Sequence, residues 1–443
     1  MSRIESSLTQ PETRGIALNE GKTDFTVLSQ DAKTMVLAKD KWKSAKLNEL
    51  GFVGRGKSRH RPRNASFLYG GPYPFFQTGD IKAANFYLRE YSQTYSEAGL
   101  LQSKLWKPGT LCITIAANIA ESAILAIEGC FPDSVVGFIA DPDKADVRFV
   151  KYYMEILKLQ MQSVSRGTTQ DNLSLDKLLT FDFSVPPLPA QKRIAGILSA
   201  YDELIENNQR RIKILESMAR SLYREWFVHF RFPGHESVPL VPSPLGPIPK
   251  GWEVCELGHI VQFKSGFAFK SSTFTANGEH RLVTIKNVQD GAFNPESDSR
   301  INELPPNLPT YCVLEDGEIL LSLTGNVGRV CLVYDGPFLL NQRVSKLAPL
   351  ESFDWALIYC MFRESEMRVK LEQLSNGVAQ QNLSPILASK VDFVCPTREL
   401  RQRFSVLAEP MVRHMVELYT AIQNLRRTRD LLLPRLLSGQ VNL

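Results

Sequence analysis

The chain is written twice. A shift of about 210 residues brings its halves into register: Trp42 falls on Trp252, PGTLCITIAANIA (108–120) on DGEILLSLTGNVG (316–328), RGTTQDNLS (166–174) on NGVAQQNLS (376–384), and FDFSVP (181–186) on VDFVCP (391–396). Self-similarity at so long a period means two copies of one structural unit. The frame repeats but its filling does not, because FVGRGKSRHRPRN (52–64) faces VQFKSGFAFKSS (261–272). Two like scaffolds carrying unlike loops point to modules that bind related but different targets.

Within each copy, short β-branched runs (TLCITIA, RLVTIKNV, EILLSLTG) alternate with helical patches (RFVKYYMEILKLQ, DWALIYCMFRESEMRVKLEQL), so each module reads as α+β. Each half closes in a long helical pattern. In 190–227, Ile194, Tyr201, Asn208, Leu215 and Leu222 recur every seventh residue, with Ile197, Leu204, Arg211 and Met218 at d spacing between them. This predicts a heptad seam with a polar layer at Asn208 and Arg211, and Leu198, Ile205 and Ile212 widen its apolar face. In 400–439, Phe404, Met411, Leu418, Leu425 and Leu432 take the a positions. Leu407, His414, Ala421 and Thr428 take the d positions, Met415 and Ile422 lie beside the seam, and Pro410 and Pro434 predict kinks. Two matched copies predict a paired coiled coil. The stretch 231–252 carries six prolines and reads as a stiff linker. The expected organisation is an N-terminal extension of unassigned role (1–41), a first module (42–187), a helix (188–231), a linker (232–250), a second module (251–397) and a second helix (398–443).

One motif competes with this reading. Gly51 and Gly56-Lys57-Ser58 fit the spacing of a phosphate-cradling nucleotide loop. Such a loop needs a buried strand before it and a helix after it. KWKSAKLNEL precedes it and RHRPRN follows, too polar for the first and too charged and proline-bearing for the second. The residues suit a basic loop on phosphates better. No other enzyme motif is present: the single Asn-Pro step (Asn294-Pro295) lacks the aromatic of an adenine methyltransferase, and the single Glu-x-Lys lies in the polar N-terminal segment.

What remains suits binding of nucleic acid, and a net charge of +5 permits a polyanion partner. Lys and Arg supply phosphate contacts, and Asn and Gln can pair bidentately with adenine. The first-module candidates are Arg55, Lys57, Arg59, Arg61, Arg63, Gln77, Thr78, Asn118 and Gln170. Those of the second are Lys264, Lys270, Lys286, Asn287, Asn326, Arg329, Arg343 and Gln380. Turn capping by Asn118 and Asn326, and loop bonding by Gln170 and Gln380, fit the same residues. The seven scattered cysteines form no C-x-x-C pair and the histidines no H-x-x-x-H, so no metal site is expected. The N-terminus lacks the apolar core of a signal peptide, and the longest apolar run is broken by Asn118 and Glu121. The expectation is a cytoplasmic protein without a membrane span.

The run PPLPAQKRIAGILSAYDELIENNQRRIKILESMARSLYREWF, followed by PIPKGWEVCELGHI, resembles the DNA-specificity (S) subunit of type I restriction–modification enzymes. The GTTQDNLS and GVAQQNLS loops and the final LLLPRLLSGQVNL resemble it too, and the likeness spans about residues 42–443. A first module opening on Lys41-Trp42, where the family has Gly-Trp, departs from it. The resemblance implies two target-recognition domains, each reading one half of a bipartite DNA site. It implies antiparallel helices that hold the domains apart and set the unread spacer. At about 1.5 Å per residue, Ile194–Trp226 would span about 50 Å, more than one DNA turn. It also implies two methyltransferase subunits, docked partly through these helices, that hold S-adenosylmethionine and methylate adenine. ATP- and Mg-dependent restriction–translocase subunits would join for cleavage. The chain itself would hold no cofactor and perform no chemistry. The alternatives are a nucleotide-hydrolysing enzyme using Lys57 and a coiled-coil scaffold that binds only proteins.

Overall fold

The computed structural model describes residues 42–166, 172–375 and 381–441. Packing divides the chain into two compact units. One holds most of the first module and the chain's end from Pro434; the other holds the second module with most of both long helices (Gly196–Leu433) and the short segment Ala83–Tyr87.

The modules share a hydrogen-bonded frame. In the first, Lys43–Ala45 pairs antiparallel with Phe183–Val185. In the second, Glu253–Glu256 pairs likewise with Asp392–Cys395. The main sheet of the first module runs Gly51–Arg55, Val135–Ala140, Leu111–Thr114, Ser122–Leu125. Its counterpart runs Val261–Ser265, Val344–Pro349, Ile319–Ser322, Val330–Leu332. The registers match residue for residue: Leu111 lies between Ile124 and Phe138, and Ile319 between Leu332 and Leu347. Leu111–Thr114, Ser122–Leu125 and Ile319–Ser322 are buried along their whole length. That is why they read as unbroken apolar runs and not as alternating ones. A second four-stranded sheet completes each module, Gln93–Tyr95, Tyr69–Phe75, Gly129–Cys130, Leu105–Trp106 in one and Arg300–Ile301, His280–Val283, Phe338–Leu340, Val313–Leu314 in the other. The helical patches fold as Val147–Arg166 and as Trp355–Phe362 with Ser365–Gln373. Among the described residues no helix is long and apolar enough to cross a membrane.

The long helices are Leu188–Tyr223, ending in a π-turn at Arg224–Val228, and Arg398–Leu437, which continues as one helix through Pro410 and Pro434. They run antiparallel: Asp202 meets Arg429, Arg211 meets His414, and Trp226 packs on Phe404. The seam differs from the expected one. Leu198, Ile205, Ile212, Ala219 and Trp226 are buried at seven-residue steps, and Ala408, Met415 and Ile422 are their counterparts. Ile194, Phe404 and Leu418 are also buried, while Tyr201, Leu215, Leu222, Met411, Leu425 and Leu432 are half-buried at its flanks. Of the residues assigned to d positions, the apolar Leu204, Met218 and Leu407 face outward, at 50%, 49% and 46% exposure, whereas Arg211 and His414 meet across the helices. Both faces of each helix carry apolar residues at heptad spacing, so periodicity alone could not choose between them. The choice follows from what each face meets, since the seam residues from Ile205 to Trp226 and from Phe404 to Ile422 join the core of the second module. Beside the polar contact of Arg211 with His414, a second and more buried one joins Asp202 to Arg429, the aspartate side chain only 4% exposed, a directional contact that fixes helix register.

Ile212→Asp should destabilise the full chain by several kcal/mol, because it buries an unpaired charge. Leu204→Asp should change stability by less than about 1 kcal/mol. Denaturant midpoints of the two variants check the corrected seam, and equal losses would refute it.

Candidate nucleic-acid interface

In both modules four chain segments meet at one sheet edge, held by the same bonds. The first strand leaves the sheet at Gly56, whose N–H donates to the Val135 carbonyl (2.8 Å), and Lys57 N–H donates to Phe131 O (3.1 Å). The second module repeats this with Gly266 to Val344 O (3.2 Å) and Phe267 to Leu340 O (2.9 Å). A Cβ at Gly56 would lie 2.3 Å from the carbonyl oxygens of Phe131 and Pro132, and one at Gly266 2.3 Å from that of Asn341. Only glycine permits so close an approach. The phosphate-loop spacing is thereby explained: Gly51–Arg55 is a strand at the sheet's edge, Gly56 is a packing glycine, and no helix begins at Ser58. Ser58 is buried, with its hydroxyl 3.5 Å from that of Tyr95, and the Ser103 hydroxyl donates to the Lys57 carbonyl (2.8 Å).

The next two segments are the repeated TIAANIA/SLTGNVG loop and the turn before Val135–Ala140 or Val344–Pro349. Ile115 N–H donates to Ser134 O (2.9 Å) and Leu323 N–H to Arg343 O (3.0 Å). The fourth segment returns a bond, from Leu173 to Ile115 O (2.9 Å) and from Leu383 to Leu323 O (2.8 Å). The Thr114 hydroxyl donates to the Asn118 carbonyl, as the Ser322 hydroxyl does to that of Asn326. In the second module the loop's two left-handed positions are Gly325 (φ 75°) and Gly328 (φ 80°). In the first they are Ala117 and Ala120, each at φ 62°. Two alanines held in the left-handed region store strain that the surrounding bonds must sustain.

The basic loop divides into tied and untied cations. Arg55 Nε donates to the Asp133 carbonyl (3.1 Å), Arg63 reaches both Asp133 carboxylate oxygens (2.9 Å each), and Arg61 donates to the carbonyls of Ser58 (2.7 Å) and His60 (2.8 Å). Lys57 and Arg59 are exposed, and their side chains make no hydrogen bond or ion pair among the described residues. Asn118 is on this edge, with its side-chain oxygen 3.2 Å from Lys82 Nζ, a cation that sequence reasoning missed. Lys104, also missed, stands 3.6 Å over the Trp106 ring, and burial together with nearby Lys57 holds it below the ordinary lysine pKa. Gln77 and Thr78 lie at the end of Tyr69–Phe75, where the Gln77 side chain donates to Gln93 (2.7 Å).

In the second module Arg343 and Asn326 are exposed on the corresponding edge. Lys264 lies over the Tyr311 ring at 5.4 Å, and Lys270 and Lys286 are exposed. The half-buried Arg329 donates to the Gln289 side chain (2.6 Å). Asn287 leaves the candidate set. It is 1% exposed, accepts from Thr284 N–H and hydroxyl, and donates to the carbonyls of Asn294 and Glu296, so its side chain closes a turn. Gln170 and Gln380 lie outside the described residues. Asp133 and Gln342 belong to the same edges and were missed because only the fold brings their turn there, and Asn172 and Asn382 were passed over within the repeated loops. Among the described residues no three His, Cys, Asp or Glu side chains gather as a metal site.

The family model for the type I restriction modification DNA specificity domain matches residues 39–217 and 249–385. The chain belongs to this family of type I DNA-specificity subunits. The MjaIX specificity subunit of Methanocaldococcus jannaschii is 25% identical over 414 residues, which cover 90% of this chain and 93% of that one. The HindI specificity subunit of Haemophilus influenzae is 22% identical over 463 residues, 88% of this chain and 98% of that one. The crystal structure of a type I S subunit from M. genitalium has the same fold, with a TM-score of 0.59 at 17% identity over 89% of this chain and 96% of that one. A specificity subunit supplies the address of a type I system and none of its catalysis. The two edges therefore need only bind.

Gly325→Ala should lower stability by about 1 kcal/mol, because a side chain enters the left-handed region. Ala117→Gly should change it by a smaller amount of opposite sign, since relief of strain is partly offset by the greater entropy of the unfolded glycine. Thermal melts of the full chain check the pair, and a Gly325→Ala protein as stable as wild type would show that the loop is not strained.

Proposed function

We propose that each module reads one half of a bipartite duplex sequence through its four-segment edge. The helix pair sets the unread gap and docks two methyltransferase subunits, with restriction–translocase subunits joining for cleavage. The observation that carries this is the doubled edge: one backbone frame presents Lys57, Arg59, Asn118 and Asp133 in the first module and Asn326, Gln342 and Arg343 in the second. Identical frames with different side chains are what reading two different half-sites requires. S-adenosylmethionine, ATP and Mg belong in this reading to the partner subunits. The outward apolar residues Leu204, Met218 and Leu407, with Val406 at 75% exposure, form the surface assigned to the methyltransferases.

Lys57 and Arg59 are the cations of the basic loop whose side chains have no other bond to break among the described residues, so they are assigned to phosphates. Replacing both with Ala should weaken binding to cognate and unrelated DNA alike, and flatten the salt dependence by up to about two units of slope. Titration across salt concentrations reads this out. An unchanged slope with altered base preference would place both at base edges instead.

Leu204→Asp combined with Leu407→Asp should leave the chain folded but abolish co-purification with methyltransferase subunits. Normal assembly of that variant at low concentration would move the docking surface elsewhere.

A further inference from the structure

The turn entering Val135–Ala140, and its counterpart entering Val344–Pro349, has equal length in both modules and is pinned identically at its ends. Phe131 and Leu340 accept the N–H that follows the packing glycine, and Val135 and Val344 accept that glycine's own N–H. Three residues lie between: Pro132, Asp133 and Ser134 in one module, Asn341, Gln342 and Arg343 in the other. The middle position is therefore equivalent in space within each module's frame, and it changes from Asp133 to Gln342.

Asp133 is a carboxylate met by Arg63, with Arg55 on its backbone carbonyl, on the edge assigned to DNA. As a holder for Arg63 it contributes little, because the pair is open to water, the two side chains being 50% and 43% exposed. Phosphates repel it. It can only accept hydrogen bonds, so the duplex groups that attract it are amino donors. In the major groove these are cytosine N4 and adenine N6. Gln342 at the same position carries both an acceptor and a donor, and Arg343 beside it carries two donors suited to guanine.

We infer that this three-residue turn is a base-reading corner in each module, with Asp133 accepting from the exocyclic amino group of a cytosine or adenine and Gln342 reading a base at the corresponding place in the other half-site. The inference rests on the reading of the modules as DNA readers.

The test uses the full chain co-expressed with its methyltransferase subunits, and methylation-site sequencing of the host DNA. Asp133→Asn should change or relax one base position in one half-site, leaving the other half-site and the spacer intact. Gln342→Ala should do the same in the opposite half. Arg63→Ala should lower the extent of methylation at an unaltered motif, whereas a purely structural Asp133–Arg63 pair would make the Asp133 and Arg63 variants alike. An Asp133→Asn complex that methylates the original motif and no other, at any efficiency, overturns the proposal. Should that variant fail to assemble, Gln342→Ala decides, because its exposed side chain makes no bond among the described residues, and an unaltered motif would then overturn the corner. A wild-type complex with no bipartite motif would instead sink the DNA-reading function itself.

Discussion

Two short strand pairs govern the architecture: Lys43–Ala45 on Phe183–Val185, and Glu253–Glu256 on Asp392–Cys395. Each joins a module's first strand to its last, so a module's entry and exit lie side by side. Each long helix then starts within three residues of the closing strand, at Leu188 and at Arg398. Each opening tryptophan packs where a long helix ends. Trp252 lies among Phe227, Phe230 and Phe232, and Trp42 lies beside Gly439. A module anchored at such a neck can change its loops without disturbing the helices. This is the physical basis for treating the modules as separate readers.

Within a module, the division between frame and filling has an energetic sense. The edge bonds are backbone to backbone and use glycine where chains touch, so they constrain side chains very little. The side chains on that edge are nonetheless ordered. Arg55, Arg61 and Arg63 are fixed by carbonyls and by Asp133 before any ligand arrives. Guanidinium groups ordered in advance lose less entropy on binding. Lys57 and Arg59, exposed and without such side-chain partners among the described residues, have no such order to exploit.

The repeat, the α+β modules and the helices were legible because they rest on long patterns. The strand that carries the nucleotide-like spacing was not, because Gly51 and Gly56 have packing reasons that only appear when Ile139, Phe131 and Pro132 are brought against them. The seam was misplaced because both stripes of the helices are apolar, and the decision belongs to the second module's core. Asn287 and Asn326 are both asparagines in loops, yet one is fully bonded within a turn and the other exposed. Residue type cannot separate such cases. Asp133 and Gln342 escaped notice for a related reason: a search for cations and amides at repeated motifs passes over a turn whose sequence does not repeat.

The second module's grip on the first long helix adds a further constraint. Glu216 on that helix accepts from Arg363 (2.8 Å) and from the Tyr359 hydroxyl (3.2 Å), while Arg220 and Arg224 both pair with Glu364. The Arg363 side chain is only 9% exposed and also meets Asp290. Apolar packing alone would allow a helix to slide or rotate against a module at small cost, because dispersion contacts are individually weak and non-directional. A nearly buried guanidinium with two carboxylate partners does not, since any displacement strands a charge out of water. The ionic cluster therefore serves orientation more than stability. It fixes which face of the helix the module occupies, and so fixes where Gln342 and Arg343 stand relative to the helix on which they are carried.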